Sequence, residues 1–188
     1  MEKKRCFWVD EKSPVYIEYH DSEWGQPVHD DQKLYEMFLL ETFQAGLSWI
    51  TILRKREAFR TAFDSFDVQK IAAYSDEKID ALLQNDQIIR NRNKIRAAVT
   101  NAQIFIQIQT EYGSFSNYLW GFSGGKVIIN NADKAEAIPV KTELSDSISK
   151  DLKKRGMRFV GSVTIYAYLQ AIGIVNDHEK NCFCYPHL

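Results

Sequence analysis

The stretch "NRNKIRAAVTNAQIFIQIQTEYG", residues 91–113, decides the fold class. Ile95, Val99, Ala102 and Ile106 recur in it at intervals of four, three and four, the repeat of a helix with one buried face rather than the alternation of a strand. Gly113 follows as a stop signal, so one long helix is expected over about 91–110.

The helical repeat continues in both directions. Leu34, Phe38 and the pair Met37 and Leu40 mark a helix after "HDD" (29–31), with Asp30 or Asp31 available as its N-cap. A turn at "QAG" (44–46) leads to a helix that Ser48 can cap, with Ile50, Ile52 and Leu53 on one side and Phe59, Ala62 and Phe63 continuing the stripe. Short helices are expected at about 67–74 and 75–84. Periodicity lapses in "GFSGGKVIINNADKAEAIP" (121–139), which reads as an irregular loop with a short extended piece at Val127–Ile129. "SDSISKDLKKRG" (145–156) has acidic and hydroxyl residues at its start and basic ones at its end, as a capped helix requires, and "GSVTIYAYLQAIG" (161–173) reads as a buried final helix. The expected architecture is all-α, one domain over 1–188.

Composition narrows the function classes. With 45% hydrophobic, 26% charged and 13% aromatic residues, the chain is a globular protein with a ring-rich core, not a disordered one. No apolar run approaches the roughly 20 residues of a membrane-spanning helix, and the start "MEKKRCFWVDEK" lacks a signal-like apolar stretch, so a cytoplasmic protein is expected. A net charge of −1 argues against coating nucleic acid by bulk electrostatics. Local basic segments remain at 53–60, 88–96 and 153–159, although such clusters commonly just face solvent.

Three cysteines in a cytoplasmic chain make a disulfide framework improbable and leave metal binding or plain burial. His178 and Cys182, four apart, can present side by side on a helix-like turn, and Cys6 with His20 would complete a Cys2His2 set of the ligands zinc prefers. Such a closed set is structural and would tie the first twenty residues to the last dozen. Cys184, His29 and His187 remain alternatives; no HExxH is present.

Around His20, "VYIEYHDSEWG" (15–25) gathers Tyr16, Tyr19 and Trp24, and Trp8 lies two residues after Cys6. These rings fill a core or line a slot for a planar heterocycle. Glu41 falls inside the apolar run "LLETFQAGLSWITIL" (39–53), where a carboxylate costs several kcal/mol unless paired. It either reaches solvent or reads donors on a base edge beside Trp49.

In order, "YHDSEWG", "QAGLSWITIL", "IIRNRNKI", "KKRGMRFVG" and "VNDHEKNCFCYP" resemble the bacterial DNA-3-methyladenine glycosylase I family of helix-hairpin-helix base-excision enzymes, over about Cys6 to Pro186. The resemblance implies a structural zinc on Cys6, His20, His178 and Cys182, with Cys184 a bystander. It implies a pocket for an extruded 3-methyladenine in which Glu41 and Tyr19 are the catalytic positions and Trp49, Trp8, Tyr16 and Trp24 surround the base. Gln44, Gly46 and Leu47 would plug the gap in the duplex, and Ile88, Arg90, Arg92 and Lys94 of an "IIRNRNKI" hairpin would hold phosphates. Gln87 and Asn93 stand there where such hairpins usually carry glycine. Asp177 is the nearest residue for a water-assisting acid.

The implied partners are double-stranded DNA with alkylated bases and the free base as product, for a monomer needing no membrane. A zinc-stabilised binder of damaged or single-stranded DNA that cuts nothing, and a zinc hydrolase with an open metal position, are the competing readings.

Overall fold

The computed structural model describes residues 3–130 and 138–186. Helices dominate: α1 (Pro14–Ser22), α2 (Asp31–Gln44), α3 (Trp49–Ala62), α4 (Val68–Ala72), α5 (Asp76–Gln84), α6 (Arg92–Tyr112), α7 (Phe115–Gly121), α8 (Glu143–Lys154) and α9 (Ser162–Ala171). The all-α expectation holds, with one addition. The extended piece at 127–129 is realised as β1 (Ile128–Ile129), which pairs in parallel with β2 (Val175–Asn176). Residues 131–137 of the expected loop, and His187, lie outside the described residues.

Capping chemistry sets several boundaries. Asp30, not Asp31, caps α2 by accepting the Lys33 N–H at 2.8 Å. Asn91 caps α6, and Gly113 ends it in the left-handed region. In α8 the cap is Thr142, paired with Ser145 in a reciprocal capping box, so that helix starts two residues before the expected "SDS". Ser48 stands at the N-cap position of α3, but its hydroxyl bonds to the Thr51 hydroxyl instead of to the helix backbone.

α2 is the central helix. It packs against α3, α6, α7 and α9, and every residue from Leu34 to Phe43 is buried. The α6 stripe is wider than its repeat suggests. Ile95, Ala98, Ala102, Phe105 and Ile108 form the buried face, while Val99 and Ile106 fall on its half-buried margins. Phe105 stacks on Phe115 with centroids 3.9 Å apart, joining α6 to α7.

Gly173 lets the chain end return to the start. With φ +71, an added Cβ there would lie 2.3 Å from the Gln26 carbonyl carbon, so any side chain would drive apart the 24–28 and 170–178 segments. No helix among the described residues is long and apolar enough to cross a membrane.

Candidate active site

Glu41 sits on the third turn of α2, on a helix whose every face is covered at that level. Its side chain therefore ends in the protein interior, at the wall of a cavity of about 420 Å³. The cavity brings together Trp8, Tyr16, Tyr19, Trp24, Glu41, Gln44 and Trp49, all singled out from sequence, and they come from three separate stretches of chain. Phe7, the 138–140 segment and Val163, Tyr166, Ala167 and Gln170 of α9 complete the wall and were not anticipated. Tyr166 and Gln170 are four apart on α9, so their shared face was open to detection once α9 was placed against α2.

The wall is a continuous set of ring contacts. Trp8 meets Tyr16 at 5.2 Å and Trp24 at 5.0 Å edge to face, and Tyr19 meets Trp49 at 5.3 Å. Against this apolar surface Glu41 is 4% exposed. Glu41 Oε2 and Trp49 Nε1 are the two buried side-chain polar atoms among the described residues with no hydrogen-bond partner. Native interiors rarely leave such atoms unpaired, and the acceptor and the donor here face one cavity. Burial alone pushes the Glu41 carboxyl up to about 8, which favours its protonated form near neutrality. Burial likewise raises the Tyr19 hydroxyl well above its ordinary value.

Behind the rings lies a second buried cluster. The ligand atoms of Cys6, His20, His178 and Cys182 all lie within 4.8 Å of one another. Sulfur to ring-nitrogen distances are 3.5 Å for Cys6 to His178 Nδ1, 3.6 Å for Cys182 to the same atom, and 3.4 Å for Cys182 to His20 Nε2. The outer nitrogens are occupied. His178 Nε2 donates to the Trp24 carbonyl at 3.1 Å, and His20 Nδ1 donates to Asp21 at 2.8 Å. Asp21 in turn is held by two bonds from Arg5, which also keep its carboxyl below the usual range. These bonds fix both tautomers so that His178 Nδ1 and His20 Nε2 are the unprotonated nitrogens facing the sulfurs, His20 Nε2 also accepting the Cys6 N–H at 3.4 Å. The buried group could hold a metal ion. His178 and Cys182 meet on a turn closed by the Cys182 N–H donating to the Glu179 carbonyl, not on a helix. Cys184 remains outside the set, its N–H donating to the Cys182 sulfur at 3.4 Å. His29 is distant, against Trp120 and Ser116.

Cluster and cavity share side chains' edges: the His20 ring lies 5.3 Å from Trp8, and the His178 ring 4.7 Å from Trp24. Asp177, between His178 and the wall, is fully buried and accepts from Tyr166, Gln170 and Asn130 at 2.6 Å each. It orients Tyr166 and Gln170 and is itself outside the cavity lining.

The expected nucleic-acid contacts divide. Gln44, Gly46 and Leu47 occur on an open turn between α2 and α3, with Gly46 at φ +79 and Leu47 38% exposed. Arg90 and Arg92 are exposed, Arg92 pairing with Asp80 at 3.1 Å. Ile88 is buried, and Lys94 is 7% exposed with its ammonium pointing inward. The Lys94 ammonium and N–H are thus both taken within the protein, and the Ile88 side chain belongs to the core. Nor does the 85–93 segment need glycine, because Gln87 and Asn93 keep ordinary backbone conformations. The glycine-bearing hairpin is instead the connection from α8 to α9, where Gly156 (φ +101) and Phe159 (φ +58) turn the chain and Gly161 opens α9. Of the basic segment at 53–60, Arg56 and Arg60 are engaged with Glu23 and Glu36.

A family model described as methyladenine glycosylase matches residues 8–185. The chain belongs to the methyladenine glycosylase family. It is 48% identical to the DNA-3-methyladenine glycosylase of Haemophilus influenzae over 96% of this chain and 97% of that one. It is 46% identical to DNA-3-methyladenine glycosylase 1 of Escherichia coli, covering 97% of both. Within the methyladenine glycosylase family, the fold superposes with a TM-score of 0.94 on a phenylalanine-for-tyrosine variant of 3-methyladenine DNA glycosylase I in complex with 3-methyladenine. That protein is 37% identical, with 97% of this chain and 98% of the other covered.

Proposed function

We propose that the protein excises 3-methyladenine from alkylated duplex DNA by hydrolysing the N-glycosidic bond and leaving an abasic site. The observation that carries this reading is Glu41: a carboxyl with an unpaired oxygen, buried at the wall of a ring-lined cavity. A protein that merely coats damaged or single-stranded DNA gains nothing from an acid there, which would repel phosphate and costs stability. An enzyme that selects a cationic planar base gains both a counter-charge and π-faces.

The lesion nucleotide must leave the stack to reach such a cavity. Methylation at N3 places a positive charge on the purine, so entry of the base favours ionised Glu41 over its protonated form. In the reaction, water adds to C1′ of the deoxyribose, the C1′–N9 bond breaks, and its electron pair neutralises the ring; one proton from the water passes to solvent. The leaving group therefore needs no acid to protonate it. Glu41 and Tyr19 hold the base edge, Trp49 and Trp8 supply stacking, and Tyr16 and Trp24 close the wall. Asp177 already accepts three hydrogen bonds, which suits it to positioning Tyr166 and Gln170 rather than to activating water.

On the outside, Gln44, Gly46 and Leu47 enter the space the base vacates. Phosphates are held at the N-terminus of α9, whose first N–H groups have no side-chain cap, with exposed Arg158 beside it. Arg90 and Arg92 flank the duplex. Backbone donors of this kind accommodate a net charge of −1.

The Cys2His2 cluster fits zinc. A tetrahedral ion with bonds of about 2.3 Å to sulfur and about 2.05 Å to nitrogen separates the two ligand types by about 3.6 Å, close to the spacing observed. Four protein ligands leave no position for substrate, which disfavours a zinc hydrolase; zinc here would hold chain start to chain end. In this reading the protein acts as a monomer in the cytoplasm.

The test is incubation with methylated duplex DNA followed by chromatography of the free bases. Release of 3-methyladenine well above a protein-free control is expected, and no release above that control would remove the enzyme reading.

A further inference from the structure

We propose that Lys94 is a positioning residue for excision: its buried ammonium ties the Gln44–Leu47 turn to the α8–α9 hairpin, so that both meet DNA as one rigid surface. This inference rests on the base-excision reading above.

Helix α2 ends abruptly. Its C-cap, Ala45, has φ −46 and ψ 116 and does not enter the left-handed conformation that usually returns N–H groups to the last carbonyls. Lys94 supplies the missing donors, with Nζ 2.8 Å from the Phe43 carbonyl and 2.6 Å from that of Ala45. Two carbonyl oxygens, not a carboxylate, hold the charge, and the negative end of the α2 dipole complements it. The lysine leaves from a fixed point, since its own N–H is taken by the Asn91 cap at 3.1 Å. On the far side Nζ lies 5.9 Å from the ring of Phe159, the hairpin residue at φ +58.

Three elements thus meet at one ammonium: the end of α2, the start of α6 and the hairpin before α9. The turn beyond Ala45 carries the exposed Leu47, shaped by the Leu47 N–H to the Gln44 carbonyl at 2.7 Å and by Gln44 Nε2 to the Leu47 carbonyl at 3.1 Å. Loss of the ammonium frees the turn from the hairpin. The rings of the cavity sit on the stretch from Phe7 to Trp24, at the start of α3 and, as Tyr166, within α9, and the ammonium bonds to none of them; of the cavity lining, Gln44 alone lies on the tied turn. Reaction in DNA should therefore suffer while capture of the free base should not.

K94M and K94Q are compared with wild type for single-turnover release of 3-methyladenine from duplex DNA, for binding of free 3-methyladenine, and for the salt dependence of duplex binding. Folding is checked by circular dichroism. Release is expected to fall about 10-fold to 100-fold in K94M and less in K94Q, which keeps a donor for one carbonyl. Free-base affinity should stay within about twofold, and the salt slope should be unchanged because no phosphate contact is lost. Wild-type release in both variants, equal loss of free-base binding, or a slope reduced by about one would each overturn the proposal. If K94M does not fold, the same three measurements on K94Q decide it. A wild-type protein that releases no base at all would instead sink the base-excision reading.

Discussion

Glu41→Gln is expected to reduce release of 3-methyladenine by about 10²-fold or more, while making the protein more stable than wild type in alkaline solution. The two effects have one cause. The Glu41 carboxyl titrates near 8 in the folded chain and near 4.5 when exposed, so the folded state binds its proton more tightly than the unfolded state does. Stability is therefore lost as pH rises through this window: the cost is absent below about 4.5, grows above it, and is complete above about 8, where it amounts to several kcal/mol. A glutamine does not titrate. The difference in melting temperature between variant and wild type should be small at pH 5, widen toward pH 8 and then level off. Parallel pH–stability curves for the two proteins would show that Glu41 is not held in a dry site. Wild-type turnover in Glu41→Gln would remove its proposed role. A group that costs stability at working pH and is kept nonetheless is what a binding site for a cation needs.

The second large effect concerns the clasp. Cys182→Ser is expected to abolish bound zinc, measured by elemental analysis against one ion per wild-type chain, and to lower unfolding free energy by more than about 4 kcal/mol in urea titration. Cys182 carries the larger effect because its sulfur meets both imidazoles and also accepts the Cys184 N–H. Cys184→Ser, by contrast, should retain the ion. Destabilisation should reach the cavity as well, since Trp8 and Trp24 rest on the rings of His20 and His178. Unchanged metal content in Cys182→Ser would show that the four residues are not a metal site.

Much of this was legible in the sequence, for identifiable reasons. The repeat in α6 and the apolar runs of α2 and α9 announce helices because each buries a long face, and long faces repeat. Glu41 stood out because a carboxylate among apolar neighbours needs an explanation. Thiols and imidazoles are scarce in this chain, which drew attention to both chain ends, but Cys184, His29 and His187 stayed in competition until the family resemblance pointed to Cys6, His20, His178 and Cys182, the four that the fold gathers.

What stayed hidden depends on contacts made at a distance. α1 and α7 are short, and their rings give no clear stripe. β2 exists only through its pairing with β1. Lys94 looks in sequence like any member of a basic segment; only the uncapped end of α2, some fifty residues earlier, makes it an interior residue. The resemblance puts the hairpin on "IIRNRNKI" (88–95), whereas the connection with positive φ is the one from Gly156 to Phe159, ahead of α9.

The measurement that bears most directly on the account is equilibrium binding of free bases, followed through the fluorescence of the tryptophans that line the cavity, Trp8, Trp24 and Trp49. Saturable quenching is expected from the permanently cationic 3,9-dimethyladeninium, the lesion base with a methyl in place of the sugar, at concentrations roughly 30-fold to 900-fold below those for neutral 9-methyladenine, from charge and cation–π contributions on the order of 1–2 kcal/mol each. Equal affinity for the two bases, or no saturable response to either, would contradict it.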